Sequence, residues 1–162
     1  MKVTHPHGGI IIVLSFIAAY LLTMLSLPDW LDTVRPYWVA MVLIYWCMAL
    51  PHRVGIGMGW IVGLFLDVTY NSLLGQHALG LALVAFFTVS LHQQIRLFPL
   101  WQQSLTILVF CLVYAAVVLW IKGITGTAPS LGRYLIPTFT TALLWPLMFI
   151  LLRHIRRYFR VA

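Results

Sequence analysis

The chain carries three carboxylates, Asp29, Asp32 and Asp67, and no glutamate. Chemistry by paired carboxylates needs two such groups flanking one bond, and the sequence sets up no such pair. Asp67 is the one acid expected at membrane depth, and it follows Gly55, Gly59 and Gly63 at steps of four residues. A carboxylate at the centre of a membrane helix costs about 2.5–3.5 kcal/mol on insertion scales, so it requires a partner or water. A proton relay requires several titratable groups in succession, and the apolar runs supply few others.

The remaining reactive side chains are scattered. His5 and His7 make a two-ligand pair, too few for a defined metal site. His52, His77, His92 and His154 fall near the ends of apolar runs, where an interfacial imidazole needs no special role. Cys47 and Cys111 sit inside apolar runs without a second ligand at zinc spacing, and read as small buried hydrophobes rather than a disulfide. No Ser/His/Asp or Cys/His set is legible. The glycine steps are not a phosphate loop, because no Lys-Ser/Thr pair follows them. No enzymatic activity, cofactor or metal is expected.

The elements that must position these residues are helices in a membrane. The sequence is 62% hydrophobic and 8% charged, with a mean hydropathy of +0.99. An average soluble domain has about a quarter of its residues charged, so this chain lacks the polar residues to cover a water-facing surface. The predicted fold is all-α: a single integral membrane domain, residues 1–162, with about six transmembrane helices. The spans are expected at 9–27, 35–50, 55–70, 78–93, 101–121 and 134–152. The first is too long for a signal-peptide core and lacks a small-x-small cleavage site, so it is expected to be retained. Asp29, after Pro28, is placed to cap a short surface helix. The second span has an apolar core of only about 14 residues, ~21 Å, short for a ~30 Å hydrocarbon layer. Pro51-His52-Arg53 is the tight connection into the third. Pro137 and Pro146 predict kinks in the last.

With six spans, Lys2, Arg53, Arg96 and the tail residues Arg153, Arg156, Arg157 and Arg160 share one side. Arg35, Lys122 and Arg133 share the other with Asp29 and Asp32. The richer basic side is expected to be cytoplasmic, with both termini inside. The net charge of +7 is thus read as orientation, not as nucleic-acid binding. The tail arginines, with Tyr158 and Phe159 between them, suit anionic headgroups or simply hold the C-terminus inside.

Steps of four put Gly55, Gly59 and Gly63 on one slowly winding ridge, each step overshooting a turn by ~40°. Small residues there permit close helix approach, either for internal packing or for docking a partner's helix. Asp67 has three candidate arrangements. Arg35 starts the second span at a similar depth and is a candidate ion-pair partner. Alternatively Asp67 caps the end of its own helix, or it bonds a nearby hydroxyl, Thr69 or Tyr70. Pro51 and Arg53, with Arg35, are candidate positioning residues.

The ordered set Arg35-Pro36, Trp38, Tyr45-Trp46, Ala49-Leu50-Pro51-His52-Arg53, Gly55, Gly59, Gly63, Leu66-Asp67, Ser72 and Leu74-Gly75 resembles the MreD family of bacterial rod shape-determining proteins. Leu100-Trp101-Gln102-Gln103 and Leu144-Trp145-Pro146 resemble its proteobacterial branch. The resemblance implies a multi-pass subunit of the bacterial inner membrane. Its fold would be similar to the six-helix substrate-binding components of energy-coupling-factor transporters. Its role would be that of a non-catalytic scaffold of the cell-wall elongation machinery. The implied partners are MreC, MreB, RodA and its class B penicillin-binding partner, besides the lipid bilayer. On this reading Gly59→Leu weakens assembly with MreC. The alternative is a small-molecule or lipid binding or transport subunit with a polar pocket near Asp67, drawing on Asn71, Gln76 and His77.

Overall fold

The computed structural model describes residues 7–127 and 129–161. The Lys2 charge and His5 of the His5–His7 pair lie outside them. The described chain forms seven helices: α1 (His7–Met24), α2 (Asp29–Thr33), α3 (Trp38–Ala49), α4 (Ile56–Thr69), α5 (Gln76–Leu97), α6 (Leu100–Ile124) and α7 (Gly132–Tyr158). Six match the expected runs, and α2 is the surface turn between the first two. Asp29 does not cap α2. It is the first helical residue, with Pro28 at the cap position and no side-chain cap bond. Proline's fixed φ suits that boundary, and the acid acts only as a charge in the first turn.

α3 is the axis of the bundle. Every residue from Val39 to Ala49 is buried, and the helix packs against α1, α5 and α7. Its 12 residues span ~18 Å, well short of ~30 Å of hydrocarbon. The shortness is tolerable because protein, not lipid, surrounds α3. Sequential neighbours then pack in order, α4 on α5, α5 on α6 and α6 on α7. The helices α5, α6 and α7 are long and apolar enough to cross a membrane, while α1 and α4 are shorter apolar helices. α7 runs on as one helix through both Pro137 and Pro146. The Thr141 hydroxyl donates to the Pro137 carbonyl at 2.6 Å, and the Thr138 hydroxyl to the Tyr134 carbonyl at 2.9 Å.

Polar contacts tie the apolar helices together. The Tyr20 hydroxyl of α1 donates to the Val62 carbonyl of α4 at 2.6 Å, and the Trp46 indole of α3 donates to Ser15 of α1 at 2.8 Å. In an apolar solvent such bonds replace a hydrophobic drive between helices. The basic residues separate by end. A Cβ on Gly8 would lie 3.0 Å from the Arg53 guanidinium and 3.3 Å from Val161, so the start of α1, the α3–α4 turn and the tail share one end. Arg96 joins them by donating to the Met48 and Ala49 carbonyls at 2.7 and 2.6 Å.

Candidate functional site

Asp67 sits in the last turn of α4 and is fully enclosed, with 0% of its surface exposed. After Thr69 the chain turns through Asn71 and Gly75, both at positive φ, and starts α5 directly above the carboxylate. Gly75 holds φ +100° at the cap position of α5, a conformation that costs glycine least. The first amides of α5 then point at Asp67. The Gly75 N–H donates to Oδ2 at 2.8 Å, and the His77 N–H to Oδ1 at 2.7 Å. The Ala78 N–H lies 3.4 Å from Oδ2. These are groups that a helix start leaves unpaired, carrying the positive end of its dipole. Asp67 therefore caps α5 across the turn, rather than the end of its own helix.

Two side chains complete the cluster. His77 Nδ1 lies 2.8 Å from Oδ1 and the Ser72 hydroxyl donates to the same oxygen at 3.1 Å. A carboxylate only accepts, so Nδ1 carries the proton in that pair. Ser72 Oγ is also 3.2 Å from Nδ1. Aspartate, histidine and serine are thus gathered, but not as a nucleophilic relay. That mechanism holds the imidazole by one nitrogen and addresses the serine with the other. Here both partners face Nδ1, and the serine proton goes to the carboxylate. The hydroxyl partner is Ser72, not Thr69, whose Oγ1 donates to the Phe65 carbonyl at 2.8 Å.

The glycine ridge faces the same helix. A Cβ on Gly59 would lie 2.9 Å from the Leu81 carbonyl oxygen. One on Gly63 would overlap the Ala78 backbone and lie 2.8 Å from the His77 carbonyl oxygen. Gly59, Gly63 and Asp67 are buried together, so the ridge is filled by α5. Gly55 has wound off it, with only the Pro51 carbonyl within contact range at 3.8 Å. Pro51 and Arg53 lie in the α3–α4 turn, with Arg53 exposed. The outward face of α4 is different, formed by Trp60, Ile61, Phe65 and Val68.

The expected Arg35–Asp67 pair does not form. Arg35 pairs with Asp32 at 3.0 Å and donates to the carbonyls of Thr23 and Leu25, at the C-terminal end of α1. Matching depth was insufficient: Asp67 is already satisfied by the folded-back start of α5, and both terminal nitrogens of Arg35 are engaged by Asp32 and the nearer end of α1. Between the two lies a cavity of about 280 Å³. Arg35, Tyr37, Tyr70, His77, Lys122 and Tyr134 line it, with Arg133 and Asp32 beside them and Leu66, Leu81 and Ala40 supplying apolar wall. The Lys122 ammonium donates to the Tyr134 hydroxyl at 2.6 Å, and the Tyr37 hydroxyl to the Tyr134 carbonyl at 3.0 Å. Among the described residues no group of three or more His, Cys, Asp or Glu side chains could hold a metal. Cys47 and Cys111 are both free and buried.

The model of the rod shape-determining protein MreD family matches residues 7–155. The chain belongs to the MreD family. A rod shape-determining protein MreD from Haemophilus influenzae is 32% identical over 142 residues, covering 88% of each chain. No solved structure matches at a significant level. Membership gives the chain a role in determining rod shape, as a helical membrane protein. The sequence itself left part of the site unmarked. Asp67 and its glycines were visible in it, whereas the matching roles of Ser72, His77 and the α5 amides were not. The usable signal was the order acid, positive-φ glycine turn and helix start, with His77 two residues beyond Gly75.

Proposed function

We propose that the protein is a non-catalytic scaffold of the cell-wall elongation machinery, spanning the inner membrane several times. Membership of the MreD family carries this reading. Two features support it. The polar residues at depth are engaged in joining helix to helix, and broad apolar faces of α1, α4, α6 and α7 are exposed. Such faces suit lipid and the membrane helices of partners. MreC, RodA with its class B penicillin-binding partner, and MreB are the partners implied by the family. The likeness of fold to energy-coupling-factor components belongs to the same reading. The end bearing Arg53, Arg96 and the tail arginines faces the cytoplasm by the positive-inside rule, which places both termini inside.

The test is complementation. Cells whose sole copy carries Lys at an outward apolar position, such as Phe65→Lys or Leu143→Lys, should retain the protein yet lose rod shape where that face meets a partner. MreC should co-purify less from those cells. Normal rods and normal MreC recovery across substitutions on every outward face would refute a docking scaffold.

A further inference from the structure

The cavity between Arg35 and His77 holds more donors than the protein itself uses. Its lining includes three basic side chains, Arg35, Lys122 and Arg133, and one carboxylate, Asp32. Three less one leaves a net charge of +2. Asp32 is engaged by Arg35. Neither Lys122 nor Arg133 has a carboxylate within 4.0 Å among the described residues. The Arg35 Nε is buried without a hydrogen-bond partner. The hydroxyls of Tyr70 and Tyr114 make no hydrogen bond to the described residues, and the Tyr134 hydroxyl, accepting from Lys122, keeps its own proton to donate.

Asp32 is the one carboxylate facing these three basic groups and already pairs with Arg35, so the site, in which Lys122 is half-buried and Arg133 exposed, is short of negative charge. The Asp67 cluster is satisfied without any of these cations. We propose that this cavity binds a phosphate-bearing anion, supplied either by a lipid headgroup or by a soluble phosphate compound. Phosphate offers several acceptor oxygens and up to two negative charges, which suits an arginine, a lysine and tyrosyl hydroxyls. The volume equals that of about nine liquid waters, enough for a headgroup but not a whole lipid. The apolar wall of Leu66, Leu81 and Ala40 suits the carbon attached to the phosphate. The position, among helix ends and connecting loops, suits headgroup depth.

The test uses the purified full chain in neutral detergent. Short-chain phosphatidic acid, short-chain phosphatidylcholine and pyrophosphate are each titrated, with thermal shift and native mass spectrometry as readouts. Phosphatidic acid or pyrophosphate should bind saturably, more weakly as salt rises, with phosphatidylcholine at least tenfold poorer. Binding of phosphatidic acid alone identifies a headgroup, and equal binding of pyrophosphate identifies a soluble compound. The double variant Lys122→Gln/Arg133→Gln should bind at least tenfold more weakly at unchanged melting temperature. Should it fail to fold, Tyr134→Phe gives the second reading, with weaker binding expected. Arg156→Gln/Arg157→Gln, at the other end, should bind normally. No saturable binding, or binding that only the tail variant weakens, would overturn the proposal.

Discussion

Asp67→Asn is the most informative single substitution. Asparagine keeps the volume but replaces one acceptor oxygen by an NH₂ group. Whichever oxygen is lost, a donor then faces a donor: the Gly75 N–H at 2.8 Å on one side, or the His77 N–H at 2.7 Å and Nδ1 at 2.8 Å on the other. Losing a charge-assisted bond costs about 1.5–3 kcal/mol, and stranding a buried N–H about 1–3 kcal/mol. Part of each overlaps, so the expected loss is about 3–4 kcal/mol. At about 2–4 °C per kcal/mol for a chain of this size, the melting temperature should fall by roughly 6–16 °C. Tryptophan fluorescence of the detergent-purified protein during heating is the assay. In double-mutant cycles, Asp67→Asn should couple to His77→Asn by about 1 kcal/mol or more and to Arg35→Gln by less than about 0.5 kcal/mol. A loss below about 1 kcal/mol, or stronger coupling to Arg35 than to His77, would refute the cross-turn cap.

Gly63→Ala places a methyl group onto the Ala78 backbone and should cost about 3 kcal/mol or more by overpacking, read as a fall in melting temperature. Gly59→Leu should be similarly damaging, through the loss of α4–α5 packing rather than of a partner contact; MreC recovery per folded molecule then stays normal. Arg96→Ala removes the cation from the carbonyl end of α3 and should cost about 1 kcal/mol, visible as faster hydrogen exchange at Leu50–Val54.

The helices themselves were legible because apolar runs broken by Pro28, Pro51-His52-Arg53, Gly75 and Pro99 leave little else for the chain to form. The central place of α3 was not legible. Hydropathy does not distinguish a helix surrounded by protein from one surrounded by lipid, as both environments are apolar. The close-packing role of Gly59 and Gly63 followed from spacing, but which helix fills the ridge depended on the turn at residues 70–75. That turn also explains the misassigned partner of Asp67. Its main ligands are backbone amides, which every residue carries and no sequence pattern marks. Arg35 looked equivalent by depth along a helix, yet Asp32 lay three residues away and the end of α1 offered carbonyls nearer still. The cavity was least legible, since Arg35, Tyr70, Lys122 and Tyr134 come from separate segments and converge only at one end of the bundle.

On the proposed function, the glycine ridge holds the protein together inside while its outer faces meet partners. Site-specific crosslinking in living cells tests it directly, using single cysteines with MreC as the target. Phe65, Leu105 and Leu143 sample the outward faces of α4, α6 and α7, and Leu66 samples the buried side of α4. The expected result is a crosslink to MreC from at least one outward position and none from Leu66. A crosslink from Leu66, or none from any outward position in cells that keep rod shape, would contradict it.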